Sequence, residues 1–127
     1  MPIAPERWAE QSQYDIETAR AMLESGRYLY VLFCCQQAIE KALKAIIARR
    51  TEEFPPRIHN LPRLAETAAL KLNATQMDFL AELSAYYIQT RYPEDIDALG
   101  ARATRQIAEA ALRKSEEFAA WLPSPPK

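Results

Sequence analysis

The longest uninterrupted helical pattern in the sequence lies in residues 28–49, which contain neither glycine nor proline. Apolar residues recur there every three or four positions, which is the spacing of one face of an α-helix. They are Tyr28, Leu32, Cys35, Ile39, Ala42 and Ile46, and a second apolar row comprises Val31, Ala38, Leu43 and Ile47. Two apolar rows indicate a helix with neighbours on more than one side. We therefore predict a central helix, about 33 Å long at the usual rise per residue.

Polar residues of the same segment lie on a separate strip, which comprises Gln36, Gln37, Glu40, Lys41 and Lys44. Spacings of three and four make these side chains neighbours on a helix surface. One interpretation is a solvated face on which Glu40 and Lys44 form an ion pair worth about 0.2–0.5 kcal/mol. The other is that the strip presents a carboxylate and two ammonium groups to a phosphate or to another subunit. Spacing alone favours the solvated face.

Further helices are predicted on both sides of the central one, and together they indicate an all-α fold. The predicted helices cover residues 5–25, 28–49, 61–72, 76–90 and a last segment that begins between 97 and 101 and ends near 121. Their core faces are expected to comprise Trp8, Ser12, Ile16, Ala19 and Leu23 in the first helix, Met77, Leu80, Leu83 or Ser84, and Tyr87 in the fourth, and Ile107, Ala111, Phe118 and Trp121 in the last. Short connections favour antiparallel neighbours.

The predicted helix boundaries depend on a few residues with special backbone or capping properties. Gly26 is a left-handed stop for the first helix. Asn60 is a favourable N-cap for the third helix, which Asn73 ends. Thr75 is predicted to cap the fourth helix, with Asp78 as its partner in a capping box.

The 127 residues are expected to form one domain, 1–127, with an ordered core over about 5–122 and a frayed tail at 123–127. The formal net charge of −1 differs from the basic field of many nucleic-acid binders. Basic residues nevertheless outnumber acidic ones by six to two in residues 41–63, whereas one arginine accompanies five acidic residues in 74–100. The first segment is either a solvated face or an anion-binding patch.

The two cysteines, Cys34 and Cys35, are adjacent and point about 100° apart on a helix, so they cannot form a disulfide with each other there. Small buried thiols indicate a reducing compartment. One histidine and no spaced thiols predict no metal site, and the sequence indicates no cofactor. The longest apolar run, 28–35, is too short to span a bilayer, and no signal-peptide pattern is present. We expect a cytoplasmic protein.

Candidate chemistry lies in two short segments. The first is Thr90-Arg91-Tyr92-Pro93, in which arginine suits multidentate contact with phosphate, and neighbouring tyrosines, including Tyr87, offer surfaces on which bases can stack. Alternatively, the tyrosines are half-buried core and Arg91 caps its helix. The second is the loop containing His59, the only side chain whose unperturbed charge changes near neutrality. A lone loop histidine is more often a spectator than a catalyst.

Three pieces of sequence, in this order and over this length, resemble the small prokaryotic HEPN domains. They are CCQQAIEKALKAII, PPRIHNL and YYIQTRYPED, which contain the patterns QQAxEKALK, HxL and TRYP. The resemblance implies an antiparallel up-and-down bundle of four to five helices, usually a homodimer. It also implies a partner, a minimal nucleotidyltransferase, with which such proteins form a two-component system of the toxin–antitoxin type. Many HEPN proteins are metal-independent ribonucleases.

The ribonuclease signature of that family is an arginine followed four to six residues later by a histidine. Arg91 matches the arginine. The positions at which the histidine would fall are Ile96, Asp97 and Ala98, and none of them is histidine. His59 precedes the arginine and belongs to the HxL pattern, so the resemblance carries over Arg91 and not its catalytic partner.

The first hypothesis is therefore a protein that binds a nucleotide or an RNA phosphate together with a nucleotidyltransferase partner. Lys41, Lys44 and Arg91 would contact the anion, while Tyr92 or Tyr87 would stack on a base. Residues expected to bind ligand are Gln37, Glu40, Lys41, Lys44, Tyr87, Tyr92 and Asp95, and the candidate catalytic residues are Arg91 and His59. The alternatives are a metal-independent ribonuclease that uses His59 or Asp97 to carry the proton, and a helical dimerisation scaffold. Nothing in the sequence indicates a membrane partner or specific DNA recognition.

Overall fold

The computed structural model describes residues 4–89 and 91–123, and these contain six α-helices and no β-strand. The helices are α1 (Pro5–Glu24), α2 (Tyr28–Thr51), α3 (Leu61–Thr67), α4 (Ala74–Ser84), α5 (Pro93–Arg102) and α6 (Arg105–Trp121). The predicted all-α fold is confirmed, with one helix more than expected. Thr90 and residues 124–127 of the expected frayed tail lie outside the described residues. No helix of the described ranges is long and apolar enough to cross a membrane.

The first two helices form an antiparallel pair joined by a tight turn at Gly26. The φ angle of this glycine is +77°, a left-handed conformation that glycine adopts without a steric penalty. In α1, Ser12 donates a hydrogen bond of 2.6 Å to the carbonyl oxygen of Ala38. Glu6, one and a half turns earlier, forms an ion pair of 3.4 Å with Arg49, which lies later in α2. Residue numbers therefore rise along one helix as they fall along the other.

Helix α2 is the packing axis of the fold, as predicted. Its largest fully buried apolar side chains include those of Leu32, Ile39, Leu43 and Ile47. Helices α1, α3, α4 and α6 contribute the remaining residues of the main core around it. A second, smaller core forms where α5 meets the N-terminal half of α2. Neighbours on several sides explain why α2 carries two apolar rows.

Two predicted boundaries differ from the structure between Asn60 and α4. Asn60 caps α3 as expected and accepts a 3.0 Å hydrogen bond from the backbone of Arg63. The cap of α4 is Asn73 and not Thr75, because the Asn73 and Gln76 side chains bond reciprocally to each other's backbone N–H groups. Helix α3 ends five residues earlier than predicted, where the backbone reverses through Ala69 at a φ of +58°.

The largest difference from the predicted boundaries concerns Pro93. The sequence predicts that the fourth helix extends to residue 90, so that Pro93 follows its end. Instead α4 ends at Ser84, and Pro93 is the first residue of α5. Proline has no N–H group to leave unpaired in a first turn, and Glu94 and Asp95 favour the positive end of the helix dipole. Pro93 therefore begins a helix, which the sequence analysis missed.

Three apolar residues that were predicted to face the core are exposed: Met77 by 39%, Ile107 by 45% and Trp121 by 47%. The buried stripe of α6 comprises Ala108, Ala111, Leu112, Ser115 and Phe118, so the predictions for Ala111 and Phe118 are confirmed. Ala108, Ala111 and Ser115 have small side chains, which favour close approach to a neighbouring helix because interaxial distance depends on the residues at the contact. A periodicity analysis that favours large apolar residues does not detect such a stripe.

Candidate functional site

The polar strip of α2 is largely buried, contrary to the interpretation as a solvated face. Gln36 is fully buried, and Glu40 and Lys44 retain only 4% and 6% of their accessible surface. Gln37 and Lys41 are half-buried. An ionised side chain is costly to bury unless its charge is paired and hydrogen-bonded, so the contacts of Glu40 decide whether this arrangement is stable.

Both oxygen atoms of the Glu40 carboxylate have partners on α2 itself. Gln36 Nε2 donates to Oε1 at 3.0 Å, and Lys44 Nζ donates to Oε2 at 3.0 Å. The four-residue spacings along α2 bring these three side chains together. The Lys44 ammonium group also lies 5.7 Å from the centre of the Trp8 ring on α1, within the range of a cation–π contact. Lys44 is therefore enclosed between the two helices.

The loop after α2 brings His59 to the same carboxylate. His59 Nδ1 lies 3.0 Å from Glu40 Oε1 and 3.2 Å from Oε2. The backbone of His59 is fixed as well, since its carbonyl oxygen accepts hydrogen bonds of 3.3 Å from Gln36 Nε2 and from Ser84 Oγ. Gln36, Glu40, Lys44 and His59 thus form one connected set, which we call the Glu40 network.

The position of Glu40 determines which nitrogen of the His59 ring remains available. An ionised carboxylate accepts hydrogen bonds, so Nδ1 carries the proton in this contact. Within the described part of the chain, Nε2 has no hydrogen-bond partner, and the His59 side chain is 42% exposed. A carboxylate that fixes the tautomer and orientation of a histidine leaves the outer nitrogen free to accept or donate a proton.

The Tyr87 side chain packs against the His59 ring. Its ring stacks on the His59 ring with centroids 3.8 Å apart and an interplanar angle of 9°. Burial, followed by the negative charge of Glu40, raises the pKa of the Tyr87 hydroxyl above its ordinary value. The hydroxyl is therefore neutral near pH 7, and it donates a 3.1 Å hydrogen bond to Gln89 Oε1. The His59 ring is confined between a carboxylate edge and an aromatic face.

His59 and Tyr87 line a shallow, open cavity of about 610 Å³ together with Arg91, Tyr92 and Asp95. We call this cavity the His59 depression. Arg91 is exposed, and its Nε donates a 3.3 Å hydrogen bond to the carbonyl oxygen of Tyr87, which lies beyond the end of α4, so Arg91 does not cap that helix. Tyr92 is 75% exposed. Five residues from the candidate set therefore share one surface, although they come from a loop, a turn and the start of α5.

The remaining candidate residues lie elsewhere. Lys41 Nζ forms a 2.9 Å ion pair with Asp15 on α1. Gln37 Nε2 donates to Gln36 Oε1 at 2.7 Å, which joins it to the Glu40 network. Neither lysine of the strip lines the His59 depression. A role for Lys41 and Lys44 in anion binding stays a prediction, while the ion pair that the spacing predicts between Glu40 and Lys44 is present.

Two residues of the site, Gln36 and Ser84, are not among the predicted catalytic or ligand-binding residues. Gln36 stood in the polar strip, and its four-residue spacing from Glu40 was the signal that could have identified it. Ser84 was considered only for the core. It accepts a 2.9 Å hydrogen bond from the Leu61 backbone and donates to His59, which connects segments more than 20 residues apart. No local pattern indicates such a contact.

Other chemistry finds little support in the described residues. They contain no group of three or more His, Cys, Asp or Glu side chains placed to hold a metal ion. Burial raises the pKa of the Cys34 thiol to about 11 and that of Cys35 to about 12, so neither is a thiolate near neutrality. Asp97, which occupies one of the positions expected for the signature histidine, is exposed on α5 and does not line the His59 depression.

The comparisons with known proteins agree on the fold. No curated protein matches the sequence. A crystal structure of TT1696 from Thermus thermophilus is 30% identical, with a TM-score of 0.76 over 91% of this chain and 93% of the other. ST0689, an archaeal HEPN homologue, is 22% identical, with a TM-score of 0.74 over 94% of each chain. The HEPN domain family model matches residues 5–124, and the chain therefore belongs to the HEPN family.

Proposed function

We propose that this HEPN protein binds a phosphate group of a nucleotide or of RNA in the His59 depression. The observation that supports the proposal is the position of His59, whose Nδ1 is held by the buried Glu40 while its exposed side chain shares an open surface with Arg91. A guanidinium group suits multidentate contact with phosphate oxygens, and Nε2 of His59 adds a donor when it is protonated.

The other residues of the depression match the rest of a nucleotide. Tyr92 is 75% exposed, so its ring is available to stack on a base. Asp95 can accept a hydrogen bond from a ribose hydroxyl or from an exocyclic amino group, and its negative charge disfavours a second phosphate beside it. This combination favours a ligand with one phosphate near Arg91 and a base near Tyr92.

Direct binding measurements test this proposal. Fluorescent AMP and short RNAs are titrated into the protein at low salt, and the dissociation constants are compared for the parent chain, Arg91→Ala and His59→Ala. We expect at least about tenfold weaker binding in both variants, which is the effect of losing one charge-assisted contact. Arg113→Ala is the matched control, since Arg113 is an exposed arginine on α6. Absent binding, or equal losses in the control, would contradict the proposal.

The partner expected for such a component is a minimal nucleotidyltransferase, and the expected assembly is a homodimer that binds it. Both expectations come from the family to which the chain belongs. Co-expression of the chain with a nucleotidyltransferase encoded beside it, followed by affinity purification and light scattering, measures both. A chain that stays dimeric, binds no nucleotide or RNA and retains no partner would instead favour the dimerisation scaffold.

A second candidate function, metal-independent RNA cleavage, is favoured by the Glu40–His59 contact. A histidine oriented by a carboxylate can accept the proton of a ribose 2′-hydroxyl through Nε2. The 2′-oxygen then attacks the adjacent phosphorus and forms a cyclic phosphate. The 5′-oxygen departs and takes a proton from water or from the protonated histidine. Arg91 would stabilise the negative charge that develops on the phosphate.

Cleavage assays in EDTA separate this candidate from simple binding. RNA that is cut by the parent chain, left intact by His59→Ala and Arg91→Ala, and cut more slowly by Glu40→Gln would support the mechanism. Glu40→Gln tests the charge of the carboxylate, because an amide can still contact the ring but carries no charge. Cleavage that survives in His59→Ala would remove the histidine from the reaction.

A further inference from the structure

A second cleft, of about 460 Å³, lies between α4 and α6 and shares no lining residue with the His59 depression. Three aromatic rings form its apolar part. The ring centroids of Phe79 and Phe118 are 6.3 Å apart, and those of Phe118 and Trp121 are 5.7 Å apart. Phe118 is 4% exposed, whereas Trp121, one turn further along the same helix, is 47% exposed. We call this feature the α4/α6 cleft.

The rim of the α4/α6 cleft carries an excess of negative charge. Asp78, Glu82 and Glu117 line it together with one basic residue, Lys114, which leaves a net charge of −2 from three carboxylates and one ammonium group. All four side chains are exposed. None of the ion pairs formed among the described residues involves any of the three carboxylates. The cleft thus combines an accessible indole ring with acidic groups that have no cationic partner in the described part of the chain.

The charge of the cleft decides which occupant fits it. A second copy of the chain that used the same face would bring two such rims together, and like charges across an interface are repulsive. An uncharged apolar segment would cover Trp121 but would remove the carboxylates from water without pairing them. A basic segment satisfies both features, because an Arg or Lys side chain can lie on an aromatic ring and bond to carboxylates at the same time.

We propose that the α4/α6 cleft docks a basic segment of a partner protein. A cationic side chain of that segment lies against the Trp121 ring, and its charge is neutralised by Glu82 and Glu117, with Asp78 extending the acidic rim along α4. The surface is separate from the His59 depression, so a partner held here leaves the proposed phosphate site open. Because the rim carboxylates are exposed, the docking rate is expected to fall as salt is added.

The first experiment uses the full chain, labelled with ¹⁵N, and a pool of 12-residue peptides. Six fixed Arg and Lys residues alternate in each peptide with randomised positions, and in a control pool the fixed residues are Asp and Glu. Backbone resonances are followed during titration at low and high salt. We expect the basic pool to shift resonances of α4 and α6 around Glu82, Glu117 and Trp121, and we expect the acidic pool to shift none. Absent binding by the basic pool, or shifts confined to other faces, would overturn the proposal.

Variants then test the residues of the cleft. The double variant Glu82→Lys/Glu117→Lys reverses two exposed charges and is expected to weaken the basic pool about tenfold or more. The matched control, Glu24→Lys/Glu66→Lys, makes the same charge change at exposed positions of α1 and α3 that do not line the cleft, and it is expected to preserve binding within about twofold. Equal losses of affinity in both double variants would mean that net charge alone explains the effect. That result would overturn the proposal of a specific docking cleft.

A further variant, Trp121→Ala, tests the aromatic part of the cleft. It is expected to weaken the basic pool while leaving the mass of the chain in light scattering unchanged. A Trp121→Ala chain that dissociates from a dimer into monomers would assign the cleft to an interface between copies and overturn the docking proposal. Circular dichroism establishes that each variant is folded before its binding is measured.

Discussion

The Glu40 network and the α4/α6 cleft distribute polar and apolar side chains in opposite ways. In the network a carboxylate and an ammonium group are 4% and 6% exposed, whereas in the cleft an indole ring is 47% exposed and the surrounding carboxylates face solvent. Both oxygen atoms of the Glu40 carboxylate have partners within the chain. The cleft acids have no cationic partner among the described residues. The Glu40 carboxylate is fully paired within the chain, whereas the carboxylates of the cleft are available to a group outside the chain.

This difference predicts unequal responses to mutation. A buried charge that loses its partner cannot be solvated, so the remaining group carries the full cost of desolvation. An exposed aromatic or carboxylate that is removed leaves its neighbours in contact with water. Single substitutions should therefore disturb folding strongly in the Glu40 network and mainly disturb binding in the cleft.

The largest effect is expected from Glu40→Ala, which leaves the Lys44 ammonium group buried without its carboxylate. Removing one partner of a buried ion pair costs about 3–5 kcal/mol of unfolding free energy. Urea denaturation followed by circular dichroism measures this loss. The double variant Glu40→Met/Lys44→Met removes both charges and is expected to recover most of it. A single variant that loses less than about 1 kcal/mol would show that Lys44 reaches solvent, contrary to its burial.

A smaller loss is expected for His59→Ala. The substitution removes the contact with the Glu40 carboxylate and the stacking on Tyr87, but Gln36 and Lys44 still satisfy both carboxylate oxygens. We expect a decrease of about 1.5–3 kcal/mol in the free energy of unfolding, the range for a hydrogen bond to a charged group. The same denaturation experiment checks it. A decrease as large as that of Glu40→Ala would mean that His59, and not Lys44, carries the stability of the network.

Trp121→Ala is expected to have a weaker effect on stability, although the side chain is larger. The ring is half exposed, and its main contact is with Phe118, so the loss should stay below about 1.5 kcal/mol. Glu82→Lys/Glu117→Lys should change the unfolding free energy by no more than about 0.5 kcal/mol. Larger losses of unfolding free energy in these variants would indicate that the side chains of the α4/α6 cleft are part of the stabilising core. The contrast with the Glu40 network would then be lost.

Much of the fold could be predicted from residue spacing, because α2 carries an unambiguous apolar repeat and Gly26 and Asn60 mark helix ends. The burial of the polar strip could not be predicted from residue spacing. A four-residue spacing of Gln36, Glu40 and Lys44 is the same on a solvated helix face and in an enclosed network. What decides between them is the loop that places His59 over Glu40 and the Trp8 ring that covers Lys44, and both contacts join residues that are distant in sequence.

The individual candidate residues could be identified from the sequence, but the surface that they share could not. His59, Arg91 and Tyr92 stood out because of their chemistry. Their common position in the His59 depression depends on α4 ending at Ser84 and on a new helix beginning at Pro93. Proline is compatible with both the end and the first turn of a helix, so the sequence around it allowed either assignment. Side-chain hydrogen bonds of Ser84 to His59 and to Leu61 then fix the loop against α4.

The smallest predicted effect concerns the ionisation of Tyr87 and tests whether the Glu40 charge acts on its hydroxyl. Burial is the first cause of the raised pKa of this hydroxyl, and the Glu40 charge is the second. Glu40→Gln removes only the charge, so the pKa of Tyr87 should fall yet remain above its ordinary value. Tyrosine-selective ¹³C labelling and NMR titration measure it, with Tyr14, exposed on α1, as the reference ring. An unchanged Tyr87 pKa would indicate that burial alone, and not the Glu40 charge, raises the pKa of this hydroxyl.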